Sequence, residues 1–391
     1  MTGDEPPSES LTLWEKLSLT WLVPLFATRC IKFLLFQRNP SLHWRQNLAL
    51  ALLKLYVSQH PNIAHTTVTV SLPPSSDPQL KNVPPPVLHF LTPVTAPGQD
   101  TDKKTTLLYF HGGGVVNPLR AAGHMPFILS LHKASKAHQT IILEYALAPE
   151  HPYPAQLIQA VAALSYLLTD LSLAPSDIIL AGDSAGGQLV GALLAHLAKP
   201  SPYAPQVENW KNDERDQQFK AAVFISPWAS MQRPGGASMF EKVDDKWDYL
   251  TEGQCARYQD LWDPKVDEVW ANLCGFSEDR NTKEEEEVWR RVFGRDGRRA
   301  MVEMTLVTVG TAEVLVDSSR RFGRECLGSE TVVVDRGTTS MDLAREIKGR
   351  DVVTVECVGE AHVQPALDAA VGYEEGVMMR VMLAWLRGVY L

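Results

Sequence analysis

From residue 66 onward the chain alternates two kinds of apolar pattern. Short, largely β-branched runs occur at TTVTVSL (66–72) and VLHFL (87–91), with a Pro-rich turn region between them. They continue at TTLLYF (105–110), TIILEY (140–145), DIILAG (177–182), KAAVFIS (220–226), MTLVTVG (304–310) and DVVTVEC (351–357). The later runs are continuous rather than alternating, which suits strands covered on both faces of a parallel sheet. Helix-like stretches lie between them, at 153–169, 185–198, 314–327 and 371–388. Strand and helix in alternation predict an α/β chain, doubly wound, with a mostly parallel central sheet flanked by helices.

Two regions break the alternation. Residues 1–60 are helical in character and precede any strand, which predicts an N-terminal helical cap segment. Residues 227–300 carry Trp228, Trp247, Trp262, Trp270 and Trp289, much charge and no convincing strand. They predict a cap insertion within a catalytic domain spanning 61–391, the two cap pieces folding together over the carboxyl edge of the sheet. KNDERDQQ (211–218) and EDRNTKEEEE (278–287) read as solvated segments. The basic cluster RRVFGRDGRR (290–299) follows the acidic run and is expected to pair with it. Residues 328–350 read as a long connection with no assigned role.

Composition narrows the partners. The 391 residues hold 37 basic and 46 acidic side chains, a net charge of −9, so no nucleic-acid partner is expected. The five cysteines, Cys30, Cys255, Cys274, Cys326 and Cys357, are scattered without a CxxC pair, and neither a disulfide framework nor a thiolate metal site is expected. The start MTGDEPPSES is acidic where a secretory signal is basic and then apolar, so the expected location is intracellular and not secreted. Leu17 to Phe36 reads LSLTWLVPLFATRCIKFLLF. Pro24, Arg29 and Lys32 interrupt it, leaving no uncharged run of the ~18 residues that a membrane span requires. A pair of amphipathic helices packed on the body is the first expectation, and peripheral contact with an internal membrane through 17–36 is the second.

Candidate chemistry sits in four places. Gly182-Asp183-Ser184-Ala185-Gly186 follows a strand and opens a helix, the context that makes G-x-S-x-G a nucleophile elbow. His111-Gly112-Gly113-Gly114 follows TTLLYF. Its bare backbone N–H groups, with that of Ala185, can form an oxyanion hole, and Gly112 and Gly113 are the expected donors. His111 itself is expected to orient the loop. His362, just after the last strand, is the expected base for Ser184. GTAEVLVD (310–317) supplies the acid: Glu313 stands nearest the strand tip and is preferred, with Asp317, one helical turn later, as the alternative.

With these residues placed, the chain resembles the hormone-sensitive-lipase family of α/β-hydrolases. The resemblance rests on HGGG (111–114), EYALAPEHPYPAQ (144–156), GDSAGG (182–187), GTAEVLVD (310–317) and GEAH (359–362), and covers residues 105–390. It implies an α/β-hydrolase fold with a helical cap, and the order Ser184, Glu313, His362 is that of the family's triad. The family's acid is usually an aspartate in D-P-L-x-D, so Glu313 in E-V-L-V-D departs from it. The GTAEVLVD and GEAH forms are similar to those of fungal members associated with secondary metabolism or steryl acetates. The resemblance further implies a carboxylester hydrolase without metal or organic cofactor, acting on a bulky hydrophobic ester with a short acyl group such as acetyl. An acyltransferase using the same acyl-enzyme, a membrane-associated steryl-ester deacetylase and a non-catalytic small-molecule receptor are the alternatives it leaves. Oligomeric state is not legible in the sequence.

Overall fold

A computed structural model describes residues 28, 44–72, 82–94, 105–207, 210, 217–231, 247–275, 283–347 and 350–389. The apolar segment 17–36 lies outside the described residues except for Thr28. Among the described residues no helix is long and apolar enough to cross a membrane.

Among the described residues nine strands form one sheet: β1 (Ile63–Thr69), β2 (Val87–Pro93), β3 (Thr106–Phe110), β4 (Gln139–Glu144), β5 (Ile178–Asp183), β6 (Phe219–Ile225), β7 (Val302–Gly310), β8 (Glu330–Val334) and β9 (Val352–Cys357). Their spatial order is β1-β2-β4-β3-β5-β6-β7-β9-β8. The β1–β2 and β2–β4 pairs are antiparallel and every later pair is parallel. The two early strands are joined through residues 70–86. The parallel pairs are joined by crossovers, most of which carry helices that cover the two faces.

Two apolar cores, one on each face, explain the continuous runs. Leu108 and Phe110 of β3 enter one core and Leu107 and Tyr109 enter the other. In β5, Leu180 and Ile178 face the first and Ile179 and Ala181 the second. Alternate residues point to opposite faces, and with both faces covered every position is apolar. The first core includes helices α3 (Ala155–Thr169) and α4 (Ala185–Ala198). The second includes α1 (Trp44–Ser58), α2 (Ala121–Ala134) and α10 (Val377–Gly388). Helix α1 packs on α2 and β1, and its Gln46 donates to the Tyr145 carbonyl at 2.7 Å.

One expectation is corrected. Residues 328–350 are not a bare connection: they hold β8 and helix α8 (Ser340–Ile347). Strand β8 is the outermost strand, so it pairs only with β9, and Val332 and Val334 are buried while Val333 is 62% exposed. An edge strand of five residues with one face in solvent has little of the long apolar signature of its neighbours.

The described part of 227–300 contains helices α5 (Glu252–Trp262) and α6 (Lys283–Val292). Thr251 and Gln254 form a capping box at the start of α5, and Asp263 ends it in a left-handed conformation with φ 51°. The tryptophans here are mostly internal. The indole N–H of Trp262 donates to Gln156, that of Trp270 to the Lys199 carbonyl and that of Trp289 to the Leu273 carbonyl. Each of these three buried rings thus has a partner for its one polar atom.

Candidate active site

Ser184 occupies the turn between β5 and α4 with φ 53° and ψ −119°. A non-glycine residue in that region is strained by roughly 1–3 kcal/mol and needs surroundings that enforce it. They do. Ser184 N donates to the Ile225 carbonyl at 2.9 Å, and Trp228 N donates to the Ser184 carbonyl at 3.0 Å. A Cβ on Gly186 would collide with the Phe110 carbonyl, and one on Gly182 with the Gly186 backbone. The flanking glycines let strand and helix approach closely enough to force the turn.

The HGGG loop is held from below. The His111 ring stacks on Tyr145, with centroids 4.2 Å apart, and its Nδ1 lies 2.7 Å from the Gly112 carbonyl. Tyr145 Oη donates to the His111 carbonyl at 2.6 Å. Burial pushes the His111 imidazole below its usual range, and the stacked ring orients the loop.

Asp183 is the hub beneath. Its Oδ1 accepts from Tyr109 Oη at 2.5 Å and from Gly112 N at 2.9 Å. Its Oδ2 lies 3.3 Å from His124 Nε2. His124 Nδ1 accepts from Arg120 N at 3.1 Å, so Nε2 carries the proton toward Asp183. Burial alone would raise the Asp183 carboxyl, but His124, Tyr109 and His111 outweigh it and hold it below the usual range.

This network corrects the choice of oxyanion donors. The Gly112 N–H is committed to Asp183 and does not face the cavity. Gly113 (φ 114°) and Gly114 (φ 61°) line the cavity, and their N–H groups have no hydrogen-bond partner among the described residues. The Ala185 N–H, at the first turn of α4, is likewise unpartnered. Gly113, Gly114 and Ala185 are therefore the candidate donors.

The acid and base meet at the ends of β7 and β9. Glu313 is fully buried, and its Oε2 accepts from Ser226 Oγ at 2.6 Å and Gly310 N at 3.0 Å. Its Oε1 lies 3.7 Å from His362 Nδ1, and neither atom has another partner. Closing that gap to a hydrogen bond needs a shift of under about 1 Å. Asp317 faces Arg320 instead, 3.7 Å away, and does not line the cavity. Burial disfavours a charged His362, but Glu313 first, then Asp248 and Asp183, more than offset it and raise the imidazole above 6.5.

Three residues at the site escaped the sequence analysis. Ser226, with φ 46°, holds Glu313 and also accepts from Val363 N at 3.2 Å. Asp248, from the insertion, accepts from the backbone beside Glu313 and at His362. Tyr258 of α5 packs against Gly114, and its hydroxyl accepts from Asn117 Nδ2 at 3.1 Å. The only available signal was the position of Ser226 at a strand tip.

Ser184 and His362 open into a cavity of about 460 Å³. Trp228, Tyr249, Tyr258, Leu315 and Leu367 supply much of its wall. The arrangement places a hydroxyl, an imidazole backed by a carboxylate and backbone N–H groups without partners at one site, the set of groups that acyl transfer through a tetrahedral intermediate uses.

Residues 107–336 match the family model described as alpha/beta hydrolase fold. The chain is 37% identical over 102 residues to "Carboxylesterase NlhH" of Mycobacterium tuberculosis, covering 25% of this chain and 31% of that protein. It is 34% identical over 140 residues to an "Acetyl-hydrolase" of Streptomyces hygroscopicus, covering 35% and 40%. The chain thus spans well under two thirds of these relatives' length. In fold it is similar to carboxyl esterase 2 of the mycorrhizal fungus Tuber melanosporum, with a TM-score of 0.56 and 17% identity over 83% of this chain and 87% of that one.

Proposed function

Because the chain belongs to the hormone-sensitive-lipase-like family of α/β-hydrolases, we propose that it is a serine carboxylester hydrolase acting through Ser184, His362 and Glu313. The observation that carries this reading is the strained Ser184 on the wall of an apolar cavity shared with His362, with Glu313 buried behind the imidazole. His362 takes the Ser184 proton as the hydroxyl attacks the ester carbonyl. The Gly113, Gly114 and Ala185 N–H groups receive the oxyanion, each donor contributing about 3 kcal/mol in the transition state. His362 then protonates the leaving alcohol, and water releases the acyl group by the same steps reversed.

The substrate class follows from the cavity and the relatives. Aromatic and aliphatic walls suit a bulky hydrophobic alcohol portion. The likeness to an acetyl-hydrolase supports a short acyl group. The GTAEVLVD and GEAH forms point toward acetylated secondary metabolites or sterols of the kind handled by fungal members. An intracellular site of action, cytoplasmic or peripheral to an internal membrane through residues 17–36, completes the proposal. Fractionation with high-salt and carbonate washes tests that part, and persistent membrane retention after carbonate would replace peripheral contact with an integral anchor.

The deciding experiment is hydrolysis of p-nitrophenyl esters from acetyl to decanoyl by wild type, Ser184→Ala and Glu313→Ala. Serine-dependent turnover that peaks at short chains, with a large loss in Glu313→Ala, supports the reading. Wild-type activity retained in Ser184→Ala overturns it.

A further inference from the structure

Asp248 lies in the insertion, far in sequence from the residues that carry the chemistry. Its carboxylate reaches backbone N–H groups on two separate turns. Oδ2 accepts from Val314 N at 2.8 Å, the residue next to Glu313. Oδ1 accepts from His362 N at 3.2 Å and from Leu250 N at 3.3 Å. One side chain of the insertion therefore clasps the acid-bearing turn and the base-bearing turn together. The next two residues, Tyr249 and Leu250, line the cavity, and the Tyr249 ring centroid lies 6.0 Å from that of His362.

The clasp acts where tolerance is small. Glu313 Oε1 and His362 Nδ1 stand 3.7 Å apart with no other partner for either. Their pairing depends on how closely the two turns approach. The turns also share the Ala312 N to Glu360 carbonyl bond at 3.1 Å and the Thr311 N to Cys357 carbonyl bond at 3.0 Å. Those bonds lie within the sheet domain. Among the described residues, the Asp248 bonds come from the segment that also forms the cavity wall, so they link the placement of that wall to the geometry of the pair.

We propose that Asp248 is a positioning residue through which the insertion sets the approach of Glu313 to His362, an inference that rests on the esterase reading of this site. Its charge also acts on the imidazole. His362 faces Glu313, Asp183 and Asp248 as acids, Arg120 and His124 as bases nearby, and the un-ionised Tyr249 and Cys255. Removing one of three acids lowers the proton affinity of His362. An Asp248 that merely capped the turn at Leu250 would hold the insertion in place and leave kcat unchanged.

The test compares wild type with Asp248→Ala and Asp248→Asn. Asn keeps one acceptor oxygen and removes the charge, so it remains informative if the Ala variant does not fold. Two readouts are taken: kcat and KM on p-nitrophenyl acetate against pH, and the His362 imidazole titration by NMR in histidine-labelled protein, which needs no turnover. Asp248→Ala is expected to lose roughly tenfold or more in kcat with little change in KM, because sub-ångström misplacement of reacting groups is costly. In both variants the imidazole titration and the acid limb of the rate profile move to lower pH. Unchanged kcat and titration, with only a lower melting temperature, overturn the proposal. A raised KM with kcat kept also overturns it, by making Asp248 a substrate contact. If wild type cleaves no ester, the esterase reading fails on its own, while the NMR titration still judges Asp248.

Discussion

Ser226→Ala removes one buried hydroxyl that serves two turns. Ser226 is fully buried, donates to Glu313 Oε2 at 2.6 Å and accepts from Val363 N at 3.2 Å. A hydrogen bond to a charged group contributes about 1.5–3 kcal/mol, and an orphaned buried N–H costs about 1–3 kcal/mol. Glu313 keeps Gly310 N at 3.0 Å, so the carboxylate is not abandoned, and the total falls near the middle of the range, about 3 kcal/mol. The left-handed backbone at 226 adds nothing, since alanine and serine are both strained there. An unfolding entropy of about 2.1 cal/mol/K per residue over 391 residues converts this to a melting shift of about 4 °C. With Oε2 freed, the carboxylate can rotate away from His362, and kcat should fall by about 10–100-fold. Scanning calorimetry and single-substrate kinetics measure both. Ser329→Ala is the control: Ser329 Oγ bonds the Gly323 carbonyl at 2.9 Å and Thr354 Oγ1 at 2.6 Å, outside the cavity lining, so it should lower the melting temperature and spare kcat. A Ser226→Ala enzyme that melts with wild type and turns over at the wild-type rate would refute the reasoning.

Further outcomes follow from the same geometry. The base must be neutral to accept the Ser184 proton, and its pKa is raised, so the acid limb of kcat/KM should lie above pH 6.5. Glu313→Gln removes charge that favours the imidazolium, so that limb should move to lower pH while kcat falls by roughly 10³-fold or more. Gly186→Ala should yield no soluble protein or lose on the order of 4 kcal/mol in chemical denaturation, because the new methyl meets the Phe110 backbone. Gly253→Ala in α5 has open space around it and should be neutral to stabilising by up to about 1 kcal/mol in the same assay. Burial raises the Cys326 and Cys357 thiols and pushes Cys255 up to about 12, so mass-mapped labelling with an aromatic disulfide at pH 8 should spare all three until denaturant is added.

What could be read from the sequence, and what could not, divides along a physical line. Strands β3 and β5 were legible because covering both faces leaves every position apolar. The elbow was legible because its constraint is local: Gly182, Ser184 and Gly186 lie within five residues, and backbone proximity alone demands the glycines. Strand β8 was missed because an edge with a solvent face needs no such continuity. At Gly112, three consecutive glycines are chemically identical in the sequence. Which N–H groups are free is decided by Asp183, whose carboxylate comes from the end of the neighbouring strand β5 and captures the first of them. Ser226 and Asp248 were invisible for a related reason. Asp248 acts on the backbone N–H groups of Val314 and His362, and Ser226 on that of Val363 besides the Glu313 carboxylate; a backbone N–H is present at nearly every position whatever the side chain. A side chain that recognises another side chain leaves two marks in a sequence, whereas one that recognises backbone leaves a single mark. Residues that position a catalytic group through its main chain therefore emerge only when the fold brings the turns together, and here they are the ones that set the approach of Glu313 to His362.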